Sequence, residues 1–146
     1  MSLTLAIING PNLNLLGTRE TDIYGNMPFD RYLSILQEEY PDLEILYYQS
    51  NVEGELINFL HECRLKAQGV VLNAASYTHT SIGIADAVAA IGSPVVEVHI
   101  SNVMAREDFR KTSFIAAKCV GTISGLGLEG YALAVEFLRR RLSAKS

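Results

Sequence analysis

The pattern that most narrows the fold of this chain is an alternation of short apolar runs with longer segments of helical period. Leu3-Thr4-Leu5-Ala6-Ile7-Ile8, Leu43 to Tyr48, Gly69 to Leu72, Pro94 to Val98 and Ala117 to Ile123 each read as a strand. Between them the apolar spacing becomes helical. Phe29, Leu33, Leu36 and Tyr40 recur every three or four residues, the stripe of one helix face. Ser50 followed by Glu53 predicts a capping box opening a helix that buries Leu56, Phe59, Leu60 and Cys63. The next helix starts after Thr80-Ser81, packs through Ile84, Ala85, Val88 and Ala89, and stops at Gly92 with Pro94 beyond it. The last carries Leu128, Tyr131, Val135, Leu138 and Leu142. Strands joined by helices in this order imply right-handed βαβ units and a parallel sheet covered on both faces. The expectation is an α/β chain forming one domain over residues 1–146.

Composition excludes several classes. Hydrophobic residues make up 49% and charged residues 19%, too apolar for a disordered chain. A net charge of -4 argues against nucleic acid as the main partner. Arg139-Arg140-Arg141 sits in the last turn of the final helix, where cations complement the macrodipole. Cys63 and Cys119 have no C-x-x-C spacing, so neither a disulfide framework nor a thiolate zinc site is expected, and both read as buried apolar residues. His61 and Cys63, two apart on a helix, do not face each other, so no metal is expected. The apolar run at Leu3 lacks a preceding Lys or Arg and is cut off by Asn9-Gly10-Pro11, so it reads as a strand and not a signal peptide. No apolar stretch approaches the ~18–20 residues of a membrane span. A cytoplasmic protein, with neither membrane nor nucleic acid as partner, is the expectation.

In parallel sheets of this kind ligands bind beyond the carboxyl ends of the strands, near the point where strand order reverses. The first such end opens a stretch from Asn9 to Met27 without strand or helix period, far longer than the usual connection of about 4–6 residues. Leu13, Leu15 and Leu16 would anchor it and Gly17 and Gly25 hinge it, giving a mobile lid that carries Arg19 and Tyr24. The third strand ends in Asn73-Ala74-Ala75-Ser76-Tyr77-Thr78-His79 and the fourth in Glu97-Val98-His99-Ile100-Ser101-Asn102. Glu97 and His99 leave the same face of a strand, and a carboxylate bonded to an imidazole fixes its tautomer and raises its basicity. The same pair could instead be a self-satisfying buried contact. Arg106 and Arg110 share a face if their segment turns helically, and could equally pair with Glu107 or Asp108.

Gly125-Leu126-Gly127-Leu128-Glu129-Gly130 matches the spacing of a dinucleotide-binding loop between a strand and a helix. No second βαβ half and no acidic residue about 20 positions on follow it. Its glycines are expected to serve a tight turn and close helix-to-sheet packing. A flavin-binding or phosphoacceptor module of similar fold is the main competing class. The Asn9 and Asn73 positions lack the acidic residues of a receiver, and no Ser/Thr/Gly-rich phosphate loop follows the first strand.

Four blocks in order, Asn9-Gly10-Pro11-Asn12-Leu13-Asn14-Leu15-Leu16-Gly17 with Arg19 and Tyr24-Gly25, Gln49-Ser50-Asn51-x-Glu53-Gly54, Tyr77-Thr78-His79-Thr80-Ser81 with Asp86-Ala87, and Val95 to Asn102 with Arg106 and Phe109-Arg110, resemble the type II 3-dehydroquinate dehydratases. The resemblance implies a flavodoxin-like three-layer fold with a five-stranded parallel sheet and a homododecamer built as a tetramer of trimers. It also implies a hydro-lyase of the shikimate pathway that converts 3-dehydroquinate to 3-dehydroshikimate by anti elimination through an enolate, without cofactor or covalent intermediate. By the same resemblance Tyr24 is the base with Arg19 beside it, and Asn12 stabilises the enolate through a water. His99, oriented by Glu97, protonates the leaving hydroxyl. Asn73, Ile100 and Ser101 hold the substrate carboxylate region, His79 and Arg110 the ring hydroxyls, Asp86 comes from a neighbouring subunit, and Arg106 is a second site arginine. Where members of the family commonly carry proline, this chain has Thr21 and Ala74.

Overall fold

In the computed structural model, which describes residues 2–18 and 26–144, the apolar runs pair in parallel into one sheet of order β2-β1-β3-β4-β5. The strands are β1 (Leu3–Asn9), β2 (Leu43–Gln49), β3 (Gly69–Asn73), β4 (Val95–His99) and β5 (Gly121–Ser124). The helices are α1 (Phe29–Glu39), α2 (Glu53–Lys66), α3 (Ile82–Ile91) and α4 (Glu129–Ser143). This strand order is the flavodoxin-like one, with its reversal between β1 and β3.

Alternation along β1 divides the core. Leu5 and Ile7 point to one face, where they meet Phe29, Leu36, Tyr131, Val135 and Leu138 from α1 and α4. Ala6 and Ile8 point to the other, against Leu56, Leu60, Ile84 and Val88 from α2 and α3. Each fully buried Leu or Ile contributes about 1.5–3 kcal/mol by leaving water, so the two clusters clamp the central strands from both sides.

Every strand runs one residue past its apolar run, and each added residue is polar: Asn9, Gln49, Asn73, His99 and Ser124. The ladder continues through them because backbone pairing does not depend on side-chain polarity. Asn9 pairs with both Gln49 and Asn73, so three polar side chains are brought side by side at the reversal of strand order.

Several local expectations are corrected. The capping box does not form at Glu53. α2 starts there with Val52 as its N-cap, so Glu55 occupies the third helical position, and Ser50 Oγ donates to Glu55 while accepting the Val52 N–H at 2.9 Å. The fifth strand does not begin at Ala117, because Ser113 Oγ accepts the N–H groups of Ile115 and Ala116 and folds residues Ala116–Lys118 into a 3-10 turn. On α3 Ala89 is exposed and Ala87 is buried in its place. Leu15 is exposed, whereas Leu13 and Leu16 anchor their loop as expected, and Cys119 is half-buried. The Ser81 cap of α3 forms, with its Oγ accepting the Ile84 N–H at 2.9 Å.

Candidate active site

The carboxyl edge is built around Gly10. Its N–H donates to the Asn73 carbonyl at 2.7 Å, closing the ends of β1 and β3 together. A Cβ there would lie 2.6 Å from the Ala74 carbonyl oxygen, so only glycine allows this approach. Immediately beyond, Asn12 takes a left-handed conformation with φ 69°, and across the gap Ala75 does so with φ 54°. Strained residues of this kind persist where the surroundings over-determine them, often at functional sites.

Beneath these turns lies a buried polar network. The Tyr131 hydroxyl, from α4, donates to Asn9 Oδ1 at 2.8 Å and accepts from Asn73 Nδ2 at 2.9 Å. Asn73 Oδ1 accepts the N–H of Ala75 at 3.0 Å, and Asn9 Nδ2 reaches the Tyr47 hydroxyl at 3.3 Å. Burial pushes the Tyr131 phenol far above its ordinary range, so this hydroxyl stays neutral and serves as a hydrogen-bonding hub.

Glu97 and His99 are both buried at the end of β4, and His99 Nε2 bonds Glu97 Oε2 directly. Ser113 Oγ donates to the same Oε2 at 3.0 Å, and Thr122 Oγ1 donates to Oε1 at 3.1 Å. Burial pushes the Glu97 pKa upward. The hydrogen bond and charge of His99, with the Ser113 and Thr122 hydroxyls, outweigh it and hold the carboxyl below its usual range. An ionised carboxylate therefore faces the imidazole and, able only to accept, fixes its Nε2 as a protonated nitrogen. The His79 ring stacks beside it, 6.3 Å between centroids, and its Nδ1 donates to the Thr112 carbonyl at 2.7 Å.

The remaining expected residues fall into three groups. Asn12 and Arg110 line one cleft together with Pro11, Ala75 and Ser76. Ile100, Ser101 and Arg106 line a separate depression, where Arg106 Nη1 donates to Ser101 Oγ at 3.2 Å. The two arginines do not share a helical turn, because 3-10 turns at Val103–Ala105 and Asp108–Lys111 break at Arg106-Glu107. Both nevertheless reach Glu107 Oε1, at 3.7 Å from Arg106 and 2.9 Å from Arg110. Asp86 stands on the exposed face of α3, and among the described residues no hydrogen bond or ion pair joins it to the others. Arg19 and Tyr24 lie outside the described residues.

The Gly125–Gly130 segment serves turn and packing. Gly125 and Gly127 have φ of 87° and 64°, and a Cβ on Gly130 would sit 3.4 Å from Ile123 and Val98. Among the described residues no group of three or more His, Cys, Asp or Glu side chains is placed to hold a metal ion, and no helix is long and apolar enough to cross a membrane.

The family model for class II dehydroquinases matches residues 3–139. A 3-dehydroquinate dehydratase from Fusobacterium nucleatum is 50% identical over 141 residues, covering 93% of this chain and 96% of the relative. The chain belongs to the class II dehydroquinases. One from Exiguobacterium sp. is 52% identical over 137 residues, covering 93% of this chain and 94% of the relative. The crystal structure of type II dehydroquinase from Butyrivibrio crossotus superposes with a TM-score of 0.92 at 41% identity, covering 94% of this chain and 98% of that one. Family membership makes the chain an enzyme, a type II 3-dehydroquinate dehydratase.

Two dehydroquinase residues escaped the sequence reading. Ser113 and Thr122 hold the Glu97 carboxylate from segments 16 and 25 positions away. Thr122 had a signal of sorts, since it stands directly opposite Glu97 in the β4–β5 register. That register becomes readable only once the start of β5 is known.

Proposed function

We propose that the chain eliminates water from 3-dehydroquinate through an enolate, with Tyr24 as base and His99 as acid. The observation that carries the reading is the buried Glu97–His99 pair beside the reversal of strand order, a carboxylate-oriented imidazole at the edge where such folds bind ligands. Tyr24 takes a proton from the carbon next to the ketone. The electron pair moves onto the ketone oxygen, and Asn12, through a water, stabilises the resulting enolate. Collapse of the enolate expels the β-hydroxyl, which leaves as water with a proton from His99. No bond to the protein forms.

A phenol ionises near pH 10, so using one as a base near pH 8 asks for roughly 2.7 kcal/mol of differential stabilisation. The guanidinium of Arg19 is the group proposed to supply it. Asn73, Ile100 and Ser101 are assigned to the substrate carboxylate region, His79 and Arg110 to the ring hydroxyls, and Arg106 is the second arginine of the site. Asn73 suits this role because Tyr131 and Ala75 fix its orientation while one Nδ2 hydrogen remains.

The direct test adds 3-dehydroquinate and follows the ultraviolet absorbance of the conjugated enone product. Absence of a signal between roughly pH 6 and 9, where a histidine acid and an activated phenol could both hold their working forms, would sink the proposal. Tyr24→Phe is expected to lower kcat by about 10²–10⁴-fold while substrate still binds, read by calorimetry. Near-normal turnover in that variant would mean another base.

The reading also assigns Asp86 to a neighbouring subunit's site within a dodecamer of four trimers. Its exposed place on α3 supports this, and so do the exposed apolar side chains of Ile82, Met104 and Phe109, which an assembly could cover. Sedimentation equilibrium is expected to give a mass many times that of one chain, and an active monomer would contradict the role given to Asp86.

A further inference from the structure

The Gln49-Ser50-Asn51 segment has no part in the reaction as proposed, yet its polar groups converge on the loop that carries Asn12. The Asn12 N–H donates to Asn51 Oδ1 at 2.9 Å. Gln49 Nε2 donates to the same oxygen at 3.2 Å and to the Gly10 carbonyl at 3.1 Å, and lies 3.5 Å from Asn14 Oδ1. The Asn51 main-chain carbonyl accepts the Tyr77 hydroxyl at 2.9 Å, and the Ser50 N–H donates to the Asn9 carbonyl at 3.1 Å. The loops that follow β1, β2 and β3 are thus tied together at Asn51.

Asn12 needs such a tie. It is a non-glycine residue at φ 69° and ψ -4°, a conformation that relaxes unless something holds the peptide plane. Its own side-chain amide forms no cap bond to the turn it opens, so the direction of the amide depends on the orientation of the backbone. Misplacement of a reacting or stabilising group by about 1 Å costs on the order of 10²-fold in rate.

We propose that Asn51, braced by Gln49, is a positioning residue that holds the Asn12 backbone in its left-handed conformation and so aims the Asn12 amide at the developing enolate. The inference rests on the enolate role given to Asn12 above. Asn51 acts through one acceptor oxygen that receives two donors, a demand that a carboxylate of the same shape also meets.

Steady-state kinetics on Asn51→Ala, Asn51→Asp, Asn12→Ala and the Asn12→Ala/Asn51→Ala double variant test it. Asn51→Ala, which leaves the main-chain carbonyl for Tyr77, is expected to lower kcat by about 10–100-fold with KM changed less than about threefold. Asn51→Asp keeps the acceptor and is expected to restore kcat to within about threefold of the parent. The double variant should be no slower than Asn12→Ala alone, because the two changes disable one device. Additive losses, an Asn51→Asp variant as slow as Asn51→Ala, or an Asn51→Ala variant of normal kcat beside a slow Asn12→Ala would each overturn the inference and leave the proposed reaction standing. An Asn12→Ala variant of normal kcat would overturn the enolate role itself, and the inference with it.

Discussion

Replacing His99 with alanine is expected to lower kcat by about 10²–10⁴-fold, the usual worth of a positioned acid, with KM within a few-fold of the parent. On the proposed mechanism the β-hydroxyl would then leave without a proton. The change also strands Glu97, which is 1% exposed and, among the described residues, keeps the Ser113 and Thr122 hydroxyls as donors. Breaking a buried pair in this way costs about 3 kcal/mol at neutral pH.

The pH dependence of that cost has a defined sign. In the parent the folded-state pKa of Glu97 lies below its ordinary value, so its contribution to stability is present at neutral pH and fades as pH falls through the folded value. Without His99, burial dominates and the pKa rises, so the variant loses stability as pH climbs past the ordinary carboxylate range. The melting-temperature gap between variant and parent should therefore be widest near neutrality and close in acid. A gap that widened in acid, or a kcat within tenfold of the parent, would count against the role of the pair.

Gly10→Ala should be the most damaging single methyl in the site. The added carbon would meet the Ala74 carbonyl oxygen at 2.6 Å, and that oxygen belongs to the main chain just after β3, so no side chain can swing aside. Overpacking of this kind costs about 3 kcal/mol, which for a chain of this size lowers Tm by about 6–12 °C. The bond from Gly10 N–H to the Asn73 carbonyl would stretch first, displacing Asn12 and Asn73 together, so kcat should fall even at temperatures where the variant is folded. Thermal melting followed by circular dichroism, with kinetics well below the transition, separates the two effects. A Tm within about 2 °C of the parent would show that the strand ends can part at little cost.

Apolar runs, helical period and terminal signals together located all five strands and four helices, because each element buries a face and burial writes itself into spacing. They stopped one residue short at every strand end. Hydrophobic runs end where the core ends, whereas the ladder continues into Asn9, Asn73 and His99 at the carboxyl edge of the sheet. Glu97 and His99 were legible because a two-residue spacing on a strand fixes a shared face. Ser113 and Thr122 were not, since their bonds to Glu97 depend on how a turn and a neighbouring strand come back through space. The position of Ala117 inside a turn was hidden for the same reason: Ser113 Oγ captures two backbone N–H groups locally and overrides the apolar pattern. Asn51 appeared in a motif, but its hold on Asn12 crosses two loops that no local pattern relates.

The Thr122 contact has a consequence for how the enzyme tolerates heat. The Glu97 carboxylate that bonds His99 is gripped from β5, a strand of four residues at the rim of the sheet, paired on one side only and partly open to water. Rim strands open in partial fluctuations at far lower cost than the strands between the two apolar clusters. The orientation of the His99 imidazole is thus expected to loosen by fraying at the margin of the sheet while the centre is still intact.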